Sequence, residues 1–224
     1  MKLADLIKTK ANRVLGIDAS TNSIAFCLMQ NDIPLKWGKV DLVGADIYEK
    51  IYDAKVKMHA MLDELKSDYI AVEGAILVRS PDAVIKLSYV YGVVIAELMA
   101  TGSSVITIAP SSWQAYIGNK NPTKDEKAAI RVKNPGYADS WYKTQLRNMR
   151  KQRTVDYFNN KYNLSITDFD VADAFGTSIG VAHIIGYKNK KEQIKEEGIE
   201  SFKTIEPDLE VNYIILDAID ENKY

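Results

Sequence analysis

Residues 13–42 read RVLGIDASTNSIAFCLMQNDIPLKWGKVDL, a stretch that predicts three consecutive strands. Two apolar runs of strand length, residues 13–18 and 23–29, are separated by a short polar turn. Asn31 and Asp32 then form a two-residue turn into a third strand at residues 33–42. We therefore expect the protein to begin with an antiparallel three-stranded sheet.

The segments that follow alternate between strands and helices. Two further strands are predicted, at residues 69–73 and 104–109. Helical spacing or helix-start signals predict helices at residues 44–66, at 81–102, at a short segment from Pro110, at 143–162 and at 166–186. This mixed order, with a hairpin first and crossovers later, predicts an α/β fold in which helices flank one mixed central sheet.

Two regions depart from this pattern. Residues 119–143 contain two Asn-Pro pairs and many polar residues, which predicts a loop-rich insertion. Residues 187–224 carry six lysines against ten acidic residues and include an apolar piece at 211–219. We expect one α/β domain at residues 1–186, with the basic insertion at about 119–143, and a charged C-terminal extension at 187–224. The extension is expected either to cover a sheet edge or to bind a partner.

The composition excludes several classes of protein. Cys27 is the single cysteine, which rules out an intramolecular disulfide framework, and with only two histidines no zinc-type Cys/His cluster is possible. The first thirteen residues, MKLADLIKTKANR, carry too many charges for a signal peptide. No later run approaches a membrane span. We expect a soluble protein of the cytoplasm.

The formal net charge of −1 conceals a strongly basic segment. Between Lys120 and Arg153, ten basic residues stand against three acidic ones, a local charge of +7 that leaves −8 for the rest of the chain. Tyr137, Trp141 and Tyr142 are interleaved with these charges. The combination favours a surface for a polyanion such as DNA, and a solvated loop is the alternative.

Two carboxylates lie on the otherwise apolar predicted helix at residues 166–186. Asp170 and Asp173 are three residues apart and therefore share a face, while residues 162–187 contain no Lys or Arg. Their repulsion at a buried place requires protonation, a basic partner from elsewhere or a metal ion. A helix cap at Asp170 is the structural alternative, although Thr167 or Asp168 could supply the cap instead.

Two further acids end apolar strands. Asp18 ends residues 13–18 and Glu73 ends residues 69–73, so each carboxylate emerges at the carboxyl end of a predicted strand. In α/β sheets this edge is where functional sites are built. Four carboxylates without Cys or His suit Mg²⁺ or Mn²⁺, and paired ions of this kind support phosphodiester hydrolysis.

Three motifs carry a family resemblance. They are GIDAS at 16–20, YIAVEGAILVRSPDAVIKLSYVYGVVIAELMATG at 69–102 and DVADAFGTSIGVAH at 170–183. These motifs resemble the RuvC family of Holliday junction resolvases, which has the ribonuclease H-like fold. The resemblance implies a Mg²⁺-dependent endonuclease, with Mn²⁺ as a substitute, that resolves four-way junctions to 5′-phosphate ends. Other branched DNA is a further candidate substrate. The insertion and the extension are more similar to resolvases encoded by phages, and for a phage-encoded protein the expected location is the host cytoplasm.

The resemblance also assigns residues. The catalytic and metal-binding carboxylates would be Asp18, Glu73, Asp170 and Asp173, with two ions expected per site. DNA contacts are expected from Ile76, Arg79, Lys143, Arg147, Arg150, Lys151 and Arg153. Ile76 stands where the family can place an aromatic wedge. The family further implies a homodimer, for which the predicted helix at 82–101, apolar on more than one side, is the candidate surface.

Two other functions stay open on the sequence alone. GIDASTNSIAF also resembles the first phosphate-binding hairpin of the actin-like sugar kinases, although this chain is short for two such domains and no second Gly-rich phosphate loop is evident. The other alternative is a non-catalytic protein that binds branched DNA. Four clustered carboxylates would repel a phosphate backbone unless cations lie between them, which favours the nuclease.

Overall fold

The computed structural model describes residues 12–74, 80–196 and 213–216, and the side chains of 12–74 and 80–186. The strands are β1 (Arg13–Ala19), β2 (Ser23–Gln30), β3 (Ile33–Asp41), β4 (Tyr69–Glu73), β5 (Ser104–Ile108) and β6 (Tyr213–Leu216). The helices are α1 (Ile47–Glu64), α2 (Pro81–Met99), α3 (Pro110–Tyr116), α4 (Lys124–Lys133), α5 (Asp139–Tyr162) and α6 (Phe169–Glu196). In this described part, none of the helices combines the length and apolarity needed to cross a bilayer.

The strands form one mixed sheet in the order β3-β2-β1-β4-β5-β6, which confirms the predicted fold class. β1 pairs antiparallel with β2 and parallel with β4, and β2 pairs antiparallel with β3. Ile17 lies beside Val72 in the parallel pair. The next residue of each strand, Asp18 or Glu73, therefore emerges at the same edge of the sheet.

The turn between β2 and β3 has the predicted two-residue form. Asn31 and Asp32 both have positive φ angles, 49° and 66°, as a type I′ turn requires. Asn31 also ties the turn to the start of β1, because its side-chain oxygen accepts a hydrogen bond from the Asn12 backbone N–H at 3.2 Å. The three-stranded beginning predicted from the sequence is confirmed.

Helices cover both faces of the sheet. Successive residues of β1 point to opposite faces, so Val14 belongs to one hydrophobic core while Leu15 and Ile17 belong to the other. The first core also contains residues of α3, α5 and α6, and the second contains residues of α1 and α2. Cys27 is buried in the first core.

α6 packs so closely on β1 that Gly16 has no room for a side chain. A Cβ atom at Gly16 would lie 2.2 Å from the Ala174 carbonyl oxygen and 2.7 Å from the Ser178 Cβ. The Ser178 hydroxyl donates a hydrogen bond of 3.0 Å to the Val14 carbonyl oxygen. The glycine is therefore required because backbone of the helix approaches backbone of the strand.

The insertion contains more helix than the sequence indicated. The prediction of a loop-rich segment at 119–143 is wrong, because α4 lies within it and α5 begins at Asp139 rather than at residue 143. A capping box starts α4: the Glu126 N–H donates to the Thr123 hydroxyl at 3.2 Å, and the Thr123 N–H donates to the Glu126 carboxylate at 2.7 Å. The Thr-x-x-Glu pattern is present in the sequence and indicates a helix start, but the Asn-Pro pairs on either side of it favoured the prediction of a loop.

Other helix ends also differ from the predictions, by three residues at α1 and α2 and by ten at the end of α6. α1 begins at Ile47 instead of residue 44, because the Asp46 side chain caps the helix by accepting hydrogen bonds from two backbone N–H groups. α2 ends at Met99 rather than at residue 102. α6 continues to Glu196, beyond the predicted end at residue 186.

The extension contributes a strand to the sheet. β6 pairs antiparallel with β5, with Ile215 opposite Ile106. A strand added in this way satisfies backbone groups that β5 would otherwise expose at the edge. This placement agrees with the expectation that the extension covers a sheet edge.

Replacing Gly16 with Ala should strongly destabilise the protein, because the added methyl group must push α6 away from β1. Overpacking typically costs about 1–3 kcal/mol. We expect the free energy of unfolding in urea to fall by at least about 2 kcal/mol. Gly186→Ala is the matched control, since Gly186 is an exposed residue of α6 and no heavy atom lies within 4 Å of its added Cβ. Equal effects of the two substitutions would contradict the proposed constraint.

Candidate active site

Three of the predicted carboxylates converge in space. Asp18 from the end of β1 and Asp170 and Asp173 from the start of α6 each offer an oxygen atom, and these oxygens all lie within 4.8 Å of one another. Asp173 is buried, with 8% of its surface exposed. Residues more than 150 positions apart in the sequence are therefore brought together by the packing of α6 on β1.

Asp168 rather than Asp170 caps α6. The Asp168 carboxylate accepts hydrogen bonds from the backbone N–H groups of Asp170 at 2.9 Å and Val171 at 3.2 Å. The reading of Asp170 as the helix cap is therefore excluded. Its carboxylate instead belongs to the group formed with Asp18 and Asp173.

Glu73 lies in the same cleft but outside this group of three. Its carboxylate accepts a hydrogen bond of 3.1 Å from the indole N–H of Trp113. Trp113 is fully buried on α3, and a Cβ added at Gly176 of α6 would lie 2.4 Å from its ring. The indole is thus fixed by packing and orients Glu73. Sequence reasoning missed Trp113, because nothing in its local pattern distinguishes it from a core tryptophan.

The carboxylates are held against an electrostatic cost. Burial raises the pKa of Asp18 to about 7, and the negative charges of Asp173 and Asp170 contribute to the increase. Burial also raises the pKa of Asp173, although Lys151 opposes the change. The pKa of Glu73 is raised well above its usual value, first by burial and then by the charges of Asp18 and Asp173. A cation bound beside these carboxylates would stabilise their ionised forms at neutral pH.

Two lysines from other elements supply positive charge. The Lys151 ammonium on α5 lies 3.1 Å from Asp173 and 3.3 Å from Asp170. Burial lowers the pKa of Lys151, but the charges and hydrogen bonds of the two aspartates outweigh that effect and raise it. Lys39 on β3 pairs with Asp168 and lies 3.6 Å from Asp170. A basic partner from elsewhere was one of the three solutions that the sequence left open.

The donor set fits a hard divalent cation. Asp18, Asp170 and Asp173 offer three carboxylate oxygens at close range, with Glu73 nearby and no nitrogen or sulfur ligand in the group. Oxygen ligands of this kind are those preferred by Mg²⁺ and Mn²⁺. A bound cation would relieve the same repulsion that raises the pKa values of the acids.

The carboxylates line one side of an open cleft of about 1340 Å³. Of the predicted DNA contacts, Lys143, Arg147, Arg150 and Lys151 also line it, at positions that share a face of α5. Lys127 of α4 lines the cleft as well and was not among the predicted contacts. The geometry thus brings acidic and basic residues to one cavity.

The remaining predicted contacts have other positions. Arg153 does not line the cleft; its guanidinium pairs with Glu126 of α4 and donates a 3.4 Å hydrogen bond to the Lys120 carbonyl oxygen. Ile76 and Arg79 lie outside the described residues. The DNA-binding roles of all these residues stay predictions.

Comparison with known proteins assigns a family and a fold. The sequence profile described as "Crossover junction endodeoxyribonuclease RuvC" matches residues 14–134, more than half of the chain. Thermus thermophilus RuvC in complex with a Holliday junction substrate is similar in structure, with a TM-score of 0.58 at 12% identity over 79% of this chain and 97% of that chain. A second T. thermophilus RuvC structure has a TM-score of 0.56 at 14% identity, with the same coverage of both chains. Comparison with curated protein sequences gives no significant match.

In the absence of metal, replacing Asp18 with Asn should stabilise the protein at neutral pH. The pKa of Asp18 is raised from 3.8 to about 7, so the wild type loses stability as the pH rises through this window and the buried acid ionises. The variant has no such group to ionise. We expect its advantage in free energy of unfolding to grow from pH 4 to pH 7 and to reach about 2–4 kcal/mol. Urea unfolding with a chelator at several pH values measures this, and a difference independent of pH would contradict it.

Proposed function

Because this chain belongs to the RuvC family of crossover junction endodeoxyribonucleases, we propose that it is a metal-dependent endonuclease that resolves four-way DNA junctions. The observation that carries the proposal is the convergence of Asp18, Asp170 and Asp173 in a cleft that also contains cationic side chains. The presence of a Holliday junction on the related T. thermophilus RuvC supports the same substrate here.

Asp18, Asp170 and Asp173 would hold divalent cations, Mg²⁺ or Mn²⁺, and Glu73 would complete the site for two ions. Such ions lower the pKa of bound water and stabilise the charge that develops on a phosphodiester. Trp113 holds Glu73 in a fixed orientation through its indole N–H. Lys151 offsets part of the charge of Asp170 and Asp173, and its ammonium would also bind a phosphate oxygen that enters the cleft. The proposed product has a 5′-phosphate end.

Phosphates that flank the reacting one would be bound by α5. Lys143 and Arg147 are exposed on the face that lines the cleft, and Arg150 is half-buried beside them. The Arg150 guanidinium donates a hydrogen bond to the Gln114 side chain of α3, which fixes its position. Cationic groups held in this way bind a phosphate backbone independently of base sequence.

We further propose that the protein acts as a homodimer through α2 and the adjoining part of α1. Ile85 and Tyr89 of α2 are exposed at 51% and 44%, and the Tyr89 ring stacks on that of Tyr48 at 6.3 Å between centroids. Tyr52 and Val56 of α1 are exposed as well, one and two turns beyond Tyr48. An apolar surface of this kind favours a partner, and two-fold symmetry would provide one active site for each strand that is cut.

A non-catalytic protein that binds branched DNA is the second candidate. The observation that favours it is the pairing of Asp170 and Asp173 with Lys151, because this offsets part of their charge without any metal. The three ligand oxygens and the raised pKa of Asp18 favour the nuclease instead, since a pure binding protein gains nothing from burying these acids.

Cleavage of a labelled four-way junction tests the proposed function. We expect paired cuts with Mg²⁺ and none with a chelator, and Asp173→Asn should lower the cleavage rate by at least about 100-fold because a metal ligand is lost. The thermal midpoint of the metal-free variant should be maintained or raised, since repulsion is relieved. Asp63→Asn, at an exposed position of α1, is the matched control and should cleave normally.

Cleavage of a linear duplex and of a flap is measured in parallel with the junction, to determine which DNA structures are substrates. Tight binding of the junction without any cut, in both Mg²⁺ and Mn²⁺, would establish the non-catalytic alternative. Cuts that survive in Asp173→Asn at the wild-type rate would contradict the assignment of this carboxylate.

Replacing Ile85 with Asp should convert the dimer to a monomer, because a charge would be buried in the proposed apolar interface. We expect the dimer dissociation constant in sedimentation experiments to rise by at least about 100-fold, with single cuts replacing paired cuts in the junction. Val132→Asp is the matched control for sedimentation, since Val132 is an exposed apolar residue on α4, outside the proposed dimer surface. A wild type that sediments as a monomer at micromolar concentrations would overturn the dimer proposal.

A further inference from the structure

The basic residues that line the cleft divide into two groups. Lys151 is already paired with Asp170 and Asp173. Lys127, Lys143 and Arg147 line the same cleft, and among the described residues none of them has a carboxylate within 4.0 Å. Lys143 and Arg147 interact only at longer range, with Asp139 and Asp173. Cations grouped on one cavity repel one another, so an anion that binds between them is stabilised.

Core packing does not explain why α4 lies beside the cleft, to whose lining it contributes Lys127. None of its residues is buried, and apolar Val132 is exposed to solvent. Polar contacts hold the helix instead. Arg131 lies 2.7 Å from Asp139 and 4.4 Å from the centre of the Tyr142 ring, so it joins α4 to the first turn of α5.

A second contact fixes the start of α4 and leaves Lys127 free. Glu126 pairs with Arg153 of α5 and also closes the capping box with Thr123. The Glu126 carboxylate is therefore committed to one cation, Arg153, and to the Thr123 backbone N–H, and not to Lys127. Lys127 lines the cleft, and contacts with α5 hold its helix at both ends.

We propose that α4 is a phosphate-binding element, in which Lys127 acts beside Lys143 and Arg147 and each side chain holds one DNA backbone phosphate in the cleft. This inference rests on the proposed function and adds a substrate-binding residue within the insertion. The ligand chemistry is a phosphodiester, which either the strand being cut or a neighbouring arm of the junction can supply. Arg153, predicted to touch DNA, is then a positioning residue that acts through Glu126.

Salt dependence of DNA binding tests the proposal. Binding of a fluorescent four-way junction and of a linear duplex is measured with a chelator present, so that no strand is cut. For Lys127→Gln, the slope of log K against log salt should become shallower by about 0.9, because one phosphate contact is lost, and the affinity should fall several-fold at about 0.1 M salt. Lys133→Gln is the matched control, since Lys133 lies on the same helix and does not line the cleft.

The outcomes separate this inference from the proposed function. A reduced slope on both DNAs would assign the phosphate to the strand in the cleft, and a reduced slope on the junction alone would assign it to a neighbouring arm. Equal slopes for Lys127→Gln, Lys133→Gln and wild type would overturn the role of α4, even if the wild type cleaves junctions with Mg²⁺. A wild type that binds the junction yet never cuts it would overturn the nuclease and leave the Lys127 result valid.

A triple variant tests whether neighbouring cations take over the phosphate contact when Lys127 alone is replaced. Replacing Lys127, Lys143 and Arg147 together with Gln should reduce the slope by about 2.7 if each holds one phosphate. Lys127, Lys143 and Arg147 are exposed and make no ion pair within the described residues, so the thermal midpoint should be unchanged. If the slope falls no further than in the double variant Lys143→Gln/Arg147→Gln, Lys127 does not contribute to phosphate binding.

Discussion

The contact between α6 and β1 at Gly16 is the constraint on which the candidate site depends. Because Gly16 lacks a Cβ, the backbone of α6 can approach until the Ala174 carbonyl lies where a side chain would begin. Asp18 is two residues further along the strand, about 7 Å away. Asp170 lies one helical turn before Ala174 and Asp173 directly before it, so the same close approach brings all three carboxylates together.

This packing places negative charge where water is largely excluded. Burial raises the pKa values of Asp18, Asp173 and Glu73, which means that the fold loses stability when they ionise. Lys151 offsets part of the cost through two ion pairs but cannot satisfy every carboxylate. Stability sacrificed in this way is typical of sites whose acids serve chemistry rather than folding.

The sequence predicts the parts of this arrangement that depend on local patterns. The antiparallel three-stranded beginning, the hairpin turn at Asn31 and Asp32 and the acids at strand ends follow from periodicity and turn chemistry, and they are visible within a few residues. The hydrogen bond from Trp113 to Glu73 joins residues 40 positions apart, and the pairing of Lys39 with Asp168 spans 129 positions. Such contacts leave no local signal, because they depend on how complete elements pack.

α5 connects the two kinds of charge in the cleft. Lys151 reaches the acids of α6, Arg147 lines the cleft one turn before it, and Arg153 holds α4 through Glu126. A single helix therefore fixes the distance between the carboxylates and the cations of the insertion. Packing of the core determines the positions of the carboxylates, and polar contacts at the surface determine those of the cations. Because α4 buries no residue, the positions of its cations depend on the few polar contacts with α5 and not on the hydrophobic core that positions the carboxylates.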